Sequence, residues 1–290
     1  TEHLSIALNT ICGRVNREGD KLESGYFLYP ETPRRAQVHA ARLAASGAPS
    51  RMRNLRGIRG EMLTTTLAEE ILTPGEGQVR ALIVSGGNPV VAWPDQELTL
   101  KAMKDLELLV VIDHRMSSTA EFAHYVVAPT LSLERADIPH LMDRWFRAPY
   151  TNYTDAITER EGDVLNEWEV FWELAKRMGT TLPFAGGQTP MDERPTDDQM
   201  IDLAYAGSRM PMDEVRANRR KVHPDKIMTV SAADPDCTAK FTVAPDDIVA
   251  EMKEIVVEGD GAAALGIDPS LYPFRLVSRR LKHVLNSYGS

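Results

Sequence analysis

Apolar and polar positions change period several times along the chain, and each change predicts an element. From residue 4 to 16, Leu4, Ile6, Leu8 and Ile11 recur at helical spacing and Gly13 and Gly19 punctuate the end, which predicts the tail of a buried helix. A second helix is framed by Thr32 as N-cap and Pro33 in the first turn, runs through Ala36 to Ala45, and stops at Gly47 before Pro49. The middle of the chain is the most regular. Arg80 to Val84 reads as a buried strand, Ser85-Gly86-Gly87-Asn88-Pro89 as a loop, and Asp95 to Lys104 as a short helix. Leu108 to Ile112 is a second apolar strand; a short helix from Thr119 then leads to a third, Tyr125 to Ala128, closed by Pro129. The order is βαβαβ.

Continuous apolar strands separated by helices imply a parallel sheet with helices on both faces, so the fold class is α/β and Rossmann-like. In such sheets the loops after the strands fall on one edge, where open α/β folds bind ligands. The loops at 85–89, 113–118 and 129–134 are therefore expected to converge. Further on, residues 163–178 form an amphipathic helix capped by Asp163 and ended by Gly179, with Val164, Leu165, Trp168, Phe171, Trp172 and Ala175 as its apolar stripe. From Thr181 to about Pro273 the chain is rich in Pro, Gly and Asp and reads as loosely organised. Short helices are expected there at Asp197 to Ala206, Pro211 to Asn218 and Asp246 to Lys253, and a strand at Phe241 to Val243. Phe274 to Ser278 opens a last strand.

Composition narrows the function. Thirty-three Lys and Arg against 42 Asp and Glu give a net charge of −9, which disfavours a nucleic-acid partner, and no apolar run approaches the ~18 residues of a membrane span. Seven arginines between Arg34 and Arg59, with no acidic residue among them, stand out in this acidic chain. They read either as a solvated or packed surface or as an anion contact. Cys12 and Cys237 lie far apart and the seven histidines show no ligand spacing, so neither a disulfide framework nor a metal site is indicated.

The chemistry lies in the strand-end loops. Gly86 and Gly87 let the backbone approach a ligand closely, and Asn88 adds a donor and an acceptor; the same residues also make an ordinary turn. Asp113 stands 26 residues after Gly87 at the tip of the second strand, close to where dinucleotide folds place the carboxylate that accepts ribose hydroxyls. It could equally cap the segment that starts near Ser118. His114 and Arg115 could bind a phosphate or base, or simply be solvated. Ser117, Ser118, His114 and Asp113 make no catalytic set without a G-x-S-x-G elbow, and the missing G-x-G-x-x-G argues against an NAD enzyme. The residues read as a nucleotide-binding edge without chemistry of its own.

Several landmarks, taken in order, resemble the molybdopterin-dependent oxidoreductases of the dimethyl sulfoxide reductase and formate dehydrogenase type. They are Leu8 to Gly19, the Gly86-Gly87-Asn88-Pro89 loop, Val110-Val111-Ile112-Asp113, Val126-Val127-Ala128-Pro129 with Glu134, and Leu276-Val277-Ser278-Arg279 with His283 and Asn286. The resemblance implies a parent subunit carrying bis(molybdopterin guanine dinucleotide). It implies that Ser85, Gly86, Gly87, Asn88, Pro89 and Asp113, with His114, Arg115 and Ser118, hold one guanosine end. Ser278, Arg279, His283 and Asn286 would open a last domain that contacts the pterin.

Under the same resemblance, residues 1–59 end a preceding helical domain, 60–180 form the Rossmann-like cofactor-binding domain, 181–273 are an irregular peripheral region, and 274–290 begin the C-terminal dinucleotide-binding domain. The family's iron–sulfur cysteine cluster and its molybdenum-ligand segment are not found. The chain is therefore expected to be an internal fragment of the large subunit, inactive alone and without bound cofactor, with the 4Fe-4S cluster of the parent outside it. The rest of the subunit and electron-transfer subunits would be its partners, and the cytoplasm its compartment. The alternative is a cofactor-free, subunit-contact module of a related respiratory complex, with the arginine-rich 34–59 surface as its interface.

Overall fold

The computed structural model describes residues 2–23, 27–38, 49–57, 61–139, 150–223, 226–258 and 266–274. In chain order the elements are α1 (Glu2–Ile11), β1 (Lys21–Glu23), α2 (Thr64–Leu72), β2 (Ala81–Ser85), α3 (Pro89–Ala92), α4 (Gln96–Asp105), β3 (Leu108–Ile112), β4 (Tyr125–Val127), β5 (Tyr150–Thr151), α5 (Glu167–Arg177), β6 (Pro183–Phe184), β7 (Gly187–Gln188), α6 (Asp197–Ala204), α7 (Met212–Ala217), β8 (Lys221–Val222), β9 (Ile227–Thr229) and α8 (Asp246–Glu258). The chain divides into two compact units. One comprises Thr1–Lys21, Pro33–Ala40 and Thr229–Ser290, the other Leu22–Thr32 and Ala41–Met228. None of the described helices is long and apolar enough to cross a membrane.

The larger unit is mixed α/β and contains the expected parallel sheet, with strand order β2-β3-β4. Ile83 pairs with Val110, and Val110 with Tyr125. Alternation along these strands sends Val84, Leu109 and Val111 to one face, where they pack on Ala68 and Ile71 of α2, Val90 of α3, and Ala102 and Met103 of α4. Leu109 and Val111 are wholly buried, and each such side chain contributes about 1.5–3 kcal/mol. The helices end as the sequence directs. Asp95, at φ 55°, accepts the Leu98 N–H at 3.0 Å to start α4. Gly179, at φ 66°, closes α5 with Thr180 N–H on the Ala175 carbonyl at 3.0 Å.

Cover on both faces was expected; α2, α3 and α4 supply it on one face, and among the described residues the other is covered in part, at Ile112, which is wholly buried, and at Ser85, which reaches Glu167 of α5. Ile83, Leu108 and Tyr125 on the other side are exposed, Tyr125 by 66%. The strand order explains this. Strands laid down successively in one direction, joined by crossovers of one hand, put their connections on the same side. The second connection is also slighter than expected, a single 3₁₀ turn over Ala120–Phe122.

Residues 181–223 are better organised than their composition suggests. Met210, Met212 and Val215 are buried with Phe27, Leu28, Ile138 and Tyr153 in a second core. The three short helices expected after residue 181 are present as α6, α7 and α8. Helix α5 begins three residues later than its apolar pattern suggests for a cap at Asp163. Asn166 is the N-cap, in a capping box with Glu169, and Leu165 is extended beside Pro129.

In the smaller unit α1 is present but not buried: Ala7 faces inward, while Leu4, Leu8 and Ile11 are exposed, Ile11 by 70%. The helix expected from Thr32 does not start there. Ser231 donates to the Arg34 carbonyl at 2.8 Å and Ala36 to the Ser231 carbonyl at 2.9 Å, so an isolated bridge to Ser231 takes the backbone groups a first helical turn would use. The remainder of that helix, residues 39–48, lies outside the described residues. Phe241–Val243 is not a strand; the His3 ring stacks on Phe241 at 5.2 Å and its Nε2 lies 3.0 Å from the Val243 carbonyl. Of the strand expected at 274–278 only Phe274 is described, in a bend.

Candidate functional site

The three strand-end loops leave the same edge of the β2-β3-β4 sheet. Ser85 ends β2 opposite Ile112, and Gly86 turns away at φ 60° while its N–H still reaches the Ile112 carbonyl at 3.1 Å. Asp113 continues from β3 with its N–H on the Val127 carbonyl at 3.2 Å. A Cβ added at Gly86 would come into van der Waals contact with Glu167 Oε1, at 3.9 Å, so that turn lies close to the head of α5.

Several of the residues expected at this edge have a definable job. Asn88 is buried, and its Oδ1 accepts from the Thr119 hydroxyl at 2.7 Å and the Thr119 N–H at 3.2 Å, tying the first loop to the second. Pro89 sits in the first turn of α3, where its missing N–H costs nothing. Asp113 Oδ1 accepts the Arg115 N–H at 3.1 Å and lies 3.6 Å from His114 Nδ1. It therefore holds its own turn. The first N–H of the 3₁₀ segment, that of Ala120, goes instead to the Ser117 hydroxyl at 3.3 Å. Arg115 and Ser118 are exposed. Ser278, Arg279, His283 and Asn286 lie outside the described residues.

Two residues at the edge were not singled out in the sequence. Thr119 is fully buried and also accepts the Val90 N–H at 3.1 Å. Glu167, first residue of α5, receives the Ser85 hydroxyl at 2.8 Å on Oε1 and stands beside Gly86. The usable signal was the capping box: Asn166 followed three residues later by Glu169 fixes the helix start and brings Glu167 to the edge. Around it lies a polar network. Thr130 donates to Asn166 Oδ1, Asn166 Nδ2 and Trp168 Nε1 both donate to Asp197, and Arg160 donates to Glu169 at 2.7 Å.

The arginine-rich stretch behaves differently where it is described. Arg51 donates to the Glu70 carboxylate at 3.3 Å and to the Thr73 carbonyl at 2.6 Å, and Arg53 forks onto Glu69. These two arginines pack against α2 and offer little to an anion or partner. Arg42 and Arg59 lie outside the described residues.

With this geometry in hand, the comparisons with known proteins identify the class. Residues 6–177 match the molybdopterin oxidoreductase family model, more than half of the chain. The chain belongs to the molybdopterin oxidoreductase family. It is 31% identical over 114 residues to the probable oxidoreductase YyaE of Bacillus subtilis, 39% of this chain and 17% of that protein. It is 30% identical over 117 residues to formate dehydrogenase H of Escherichia coli, 40% of this chain and 16% of that one. It is also 33% identical over 109 residues to the dimethyl sulfoxide/trimethylamine N-oxide reductase of Cereibacter sphaeroides, 37% and 13%. The chain thus spans less than a fifth of the length of the curated relatives it matches.

Proposed function

We propose that the edge formed by residues 85–89, 113–118 and 167 binds the guanosine end of a molybdopterin guanine dinucleotide, within an oxidoreductase resembling the formate dehydrogenases and dimethyl sulfoxide reductases. The observation that carries this is two carboxylates next to a left-handed glycine turn at converging strand ends: Glu167 receives the Ser85 hydroxyl, and Asp113 follows Ile112, the strand partner of Ser85. Ionised carboxylates accept hydrogen bonds and donate none, which suits a nucleoside that presents ribose hydroxyls and the N–H edge of guanine. A phosphate would be repelled from the same position. Gly86 carries no side chain, so its backbone is open to close approach by a flat base beside Glu167. In this reading Asp113 takes the ribose hydroxyls, Glu167 the base, and Arg115 and His114 the phosphate side, with Asn88 and Pro89 shaping the loop.

The group supplies a metal-binding dithiolene when bound, and this chain's part is to hold its nucleoside. The Rossmann-like domain then runs from 60 to 180. Ser278, Arg279, His283 and Asn286 make a second contact to the pterin, and the bis form of the cofactor, an iron–sulfur cluster and electron-transfer subunits belong to the parent protein. The test is calorimetric titration of the full 290-residue chain with guanosine diphosphate, alongside NMR of the Gly86 and Gly87 amides. Weak binding is expected, with those amides shifted and the affinity reduced about tenfold by Asp113→Ala, the worth of one hydrogen bond to a charged group. Absence of heat and of any shift at those amides overturns the reading.

A further inference from the structure

We infer that Asp197, at the first turn of α6, is the positioning residue that aims Glu167 into the nucleotide edge; this rests on the guanosine reading above. Asp197 Oδ1 receives the side chains on either side of Glu167 in sequence, from Asn166 Nδ2 and, at 2.9 Å, from Trp168 Nε1. Successive helical residues project about 100° apart, so tying positions 166 and 168 to one carboxylate fixes the rotation of the first turn. Residue 167 is thereby left pointing to Ser85 and Gly86, where its carboxylate is found.

The anchor is firm on both sides. Asn166 is fully buried and also takes the Thr130 hydroxyl, so the same residue ties the third strand-end loop to α5. Arg160 lies 3.7 Å from Asp197 Oδ2 and 2.7 Å from Glu169, which balances the two acids in this confined place. Asp197 is held in turn by the Thr196–Gln199 capping box of α6. Asp197 lies beyond residues 6–177, which match the family model, so the aim of a family-matched residue is set by an element outside that match. Neither Asp197 nor Trp168 faces the ligand in this account; both act through Glu167.

The experiment titrates guanosine diphosphate into the wild-type chain and into Asp197→Ala, Asp197→Asn, Trp168→Phe and Glu167→Gln, with a melting temperature for each. Asp197→Ala is expected to weaken binding about tenfold, as Glu167→Gln does, and Trp168→Phe by about threefold. Asp197→Asn keeps an oxygen that can accept from Asn166 and Trp168, and restores the wild-type affinity to within about twofold. A purely structural role would lower the melting temperature and leave the affinity of the folded fraction unchanged. Loss of affinity with Glu167→Gln but none with Asp197→Ala or Trp168→Phe overturns this inference alone. If Asp197→Ala does not fold, Trp168→Phe and Asp197→Asn decide on the same criteria. No binding by the wild-type chain overturns the guanosine reading itself.

Discussion

The turn at 51–55 and the sheet edge at 85–118 are both polar, both glycine- or arginine-marked in sequence, and opposite in what they leave unused. At the turn, Arg51 spends its guanidinium on Glu70, the Thr73 carbonyl and the Pro74 carbonyl, and Met52 N–H takes the other oxygen of Glu70 at 2.9 Å. At the edge, Asp113 and Glu167 hold a turn and one serine, and each retains acceptor capacity. The charge at Arg51 and Arg53 is therefore spent within the fold. The edge proposed for the nucleoside presents acceptors that the fold positions without saturating them.

The largest effect should come from breaking the saturated region. Arg51→Ala leaves the Glu70 carboxylate, whose side chain is 9% exposed, without its cation and strips donors from the last turn of α2. A loss of about 2–3 kcal/mol in urea unfolding is expected, because the partner stays buried after its counter-charge is gone. Guanosine diphosphate affinity of the folded chain should not change. A stability loss below about 0.5 kcal/mol, the scale of an ordinary surface substitution, would mean that the turn is not clasped as described.

Backbone conformation sharpens the contrast with a smaller effect. Arg53 and Asn54 are left-handed at φ 58° and 51° in the saturated turn, where Glu69 holds Arg53 in place, whereas the edge uses glycine at φ 60°. Gly86→Ala meets nothing closer than Glu167 Oε1 at 3.9 Å, so its cost is conformational, about 1–2 kcal/mol. The added methyl also enters the space assigned to the base, so affinity should fall together with stability. An unchanged affinity in Gly86→Ala would move the ligand away from this turn.

What the sequence disclosed divides along the same line. The strands 81–85, 108–112 and 125–127 were legible because β-branched runs bounded by turn residues have few alternatives, and the convergence of their loops followed from parallel pairing. Glu167 was hidden because its place depends on a helix start three residues beyond Asp163, which the apolar stripe alone blurs. Thr119 was hidden because a buried hydroxyl bridging two loops leaves no periodic trace. The exposure of Ile83, Leu108 and Tyr125 on the second face of the sheet and the exposed side of α1 could not be read either: apolar periodicity says which residues prefer cover and is silent on what supplies it.

The smallest effect concerns the outer half of the saturated turn. The Arg53 hydrogen bond to Glu69 holds that carboxyl below its ordinary value of 4.5, and the arginine is held correspondingly above its own. A carboxyl depressed in the folded chain contributes stability above the unfolded value and loses it as pH falls through the folded one. The melting temperature of Arg53→Ala should therefore lie slightly below wild type, by a constant amount, from neutral pH down to the ordinary value. The gap should close as the medium becomes more acidic and Glu69 takes up its proton. Because the Arg53 side chain is 58% exposed, raising salt to about 1 M should shrink the same gap at neutral pH. Arg51→Ala carries the control, since its buried partner is screened far less, and its deficit should survive the salt that erases the Arg53 one. A gap for Arg53→Ala that widened in acid or ignored salt would place its origin in the left-handed turn and not in the ion pair.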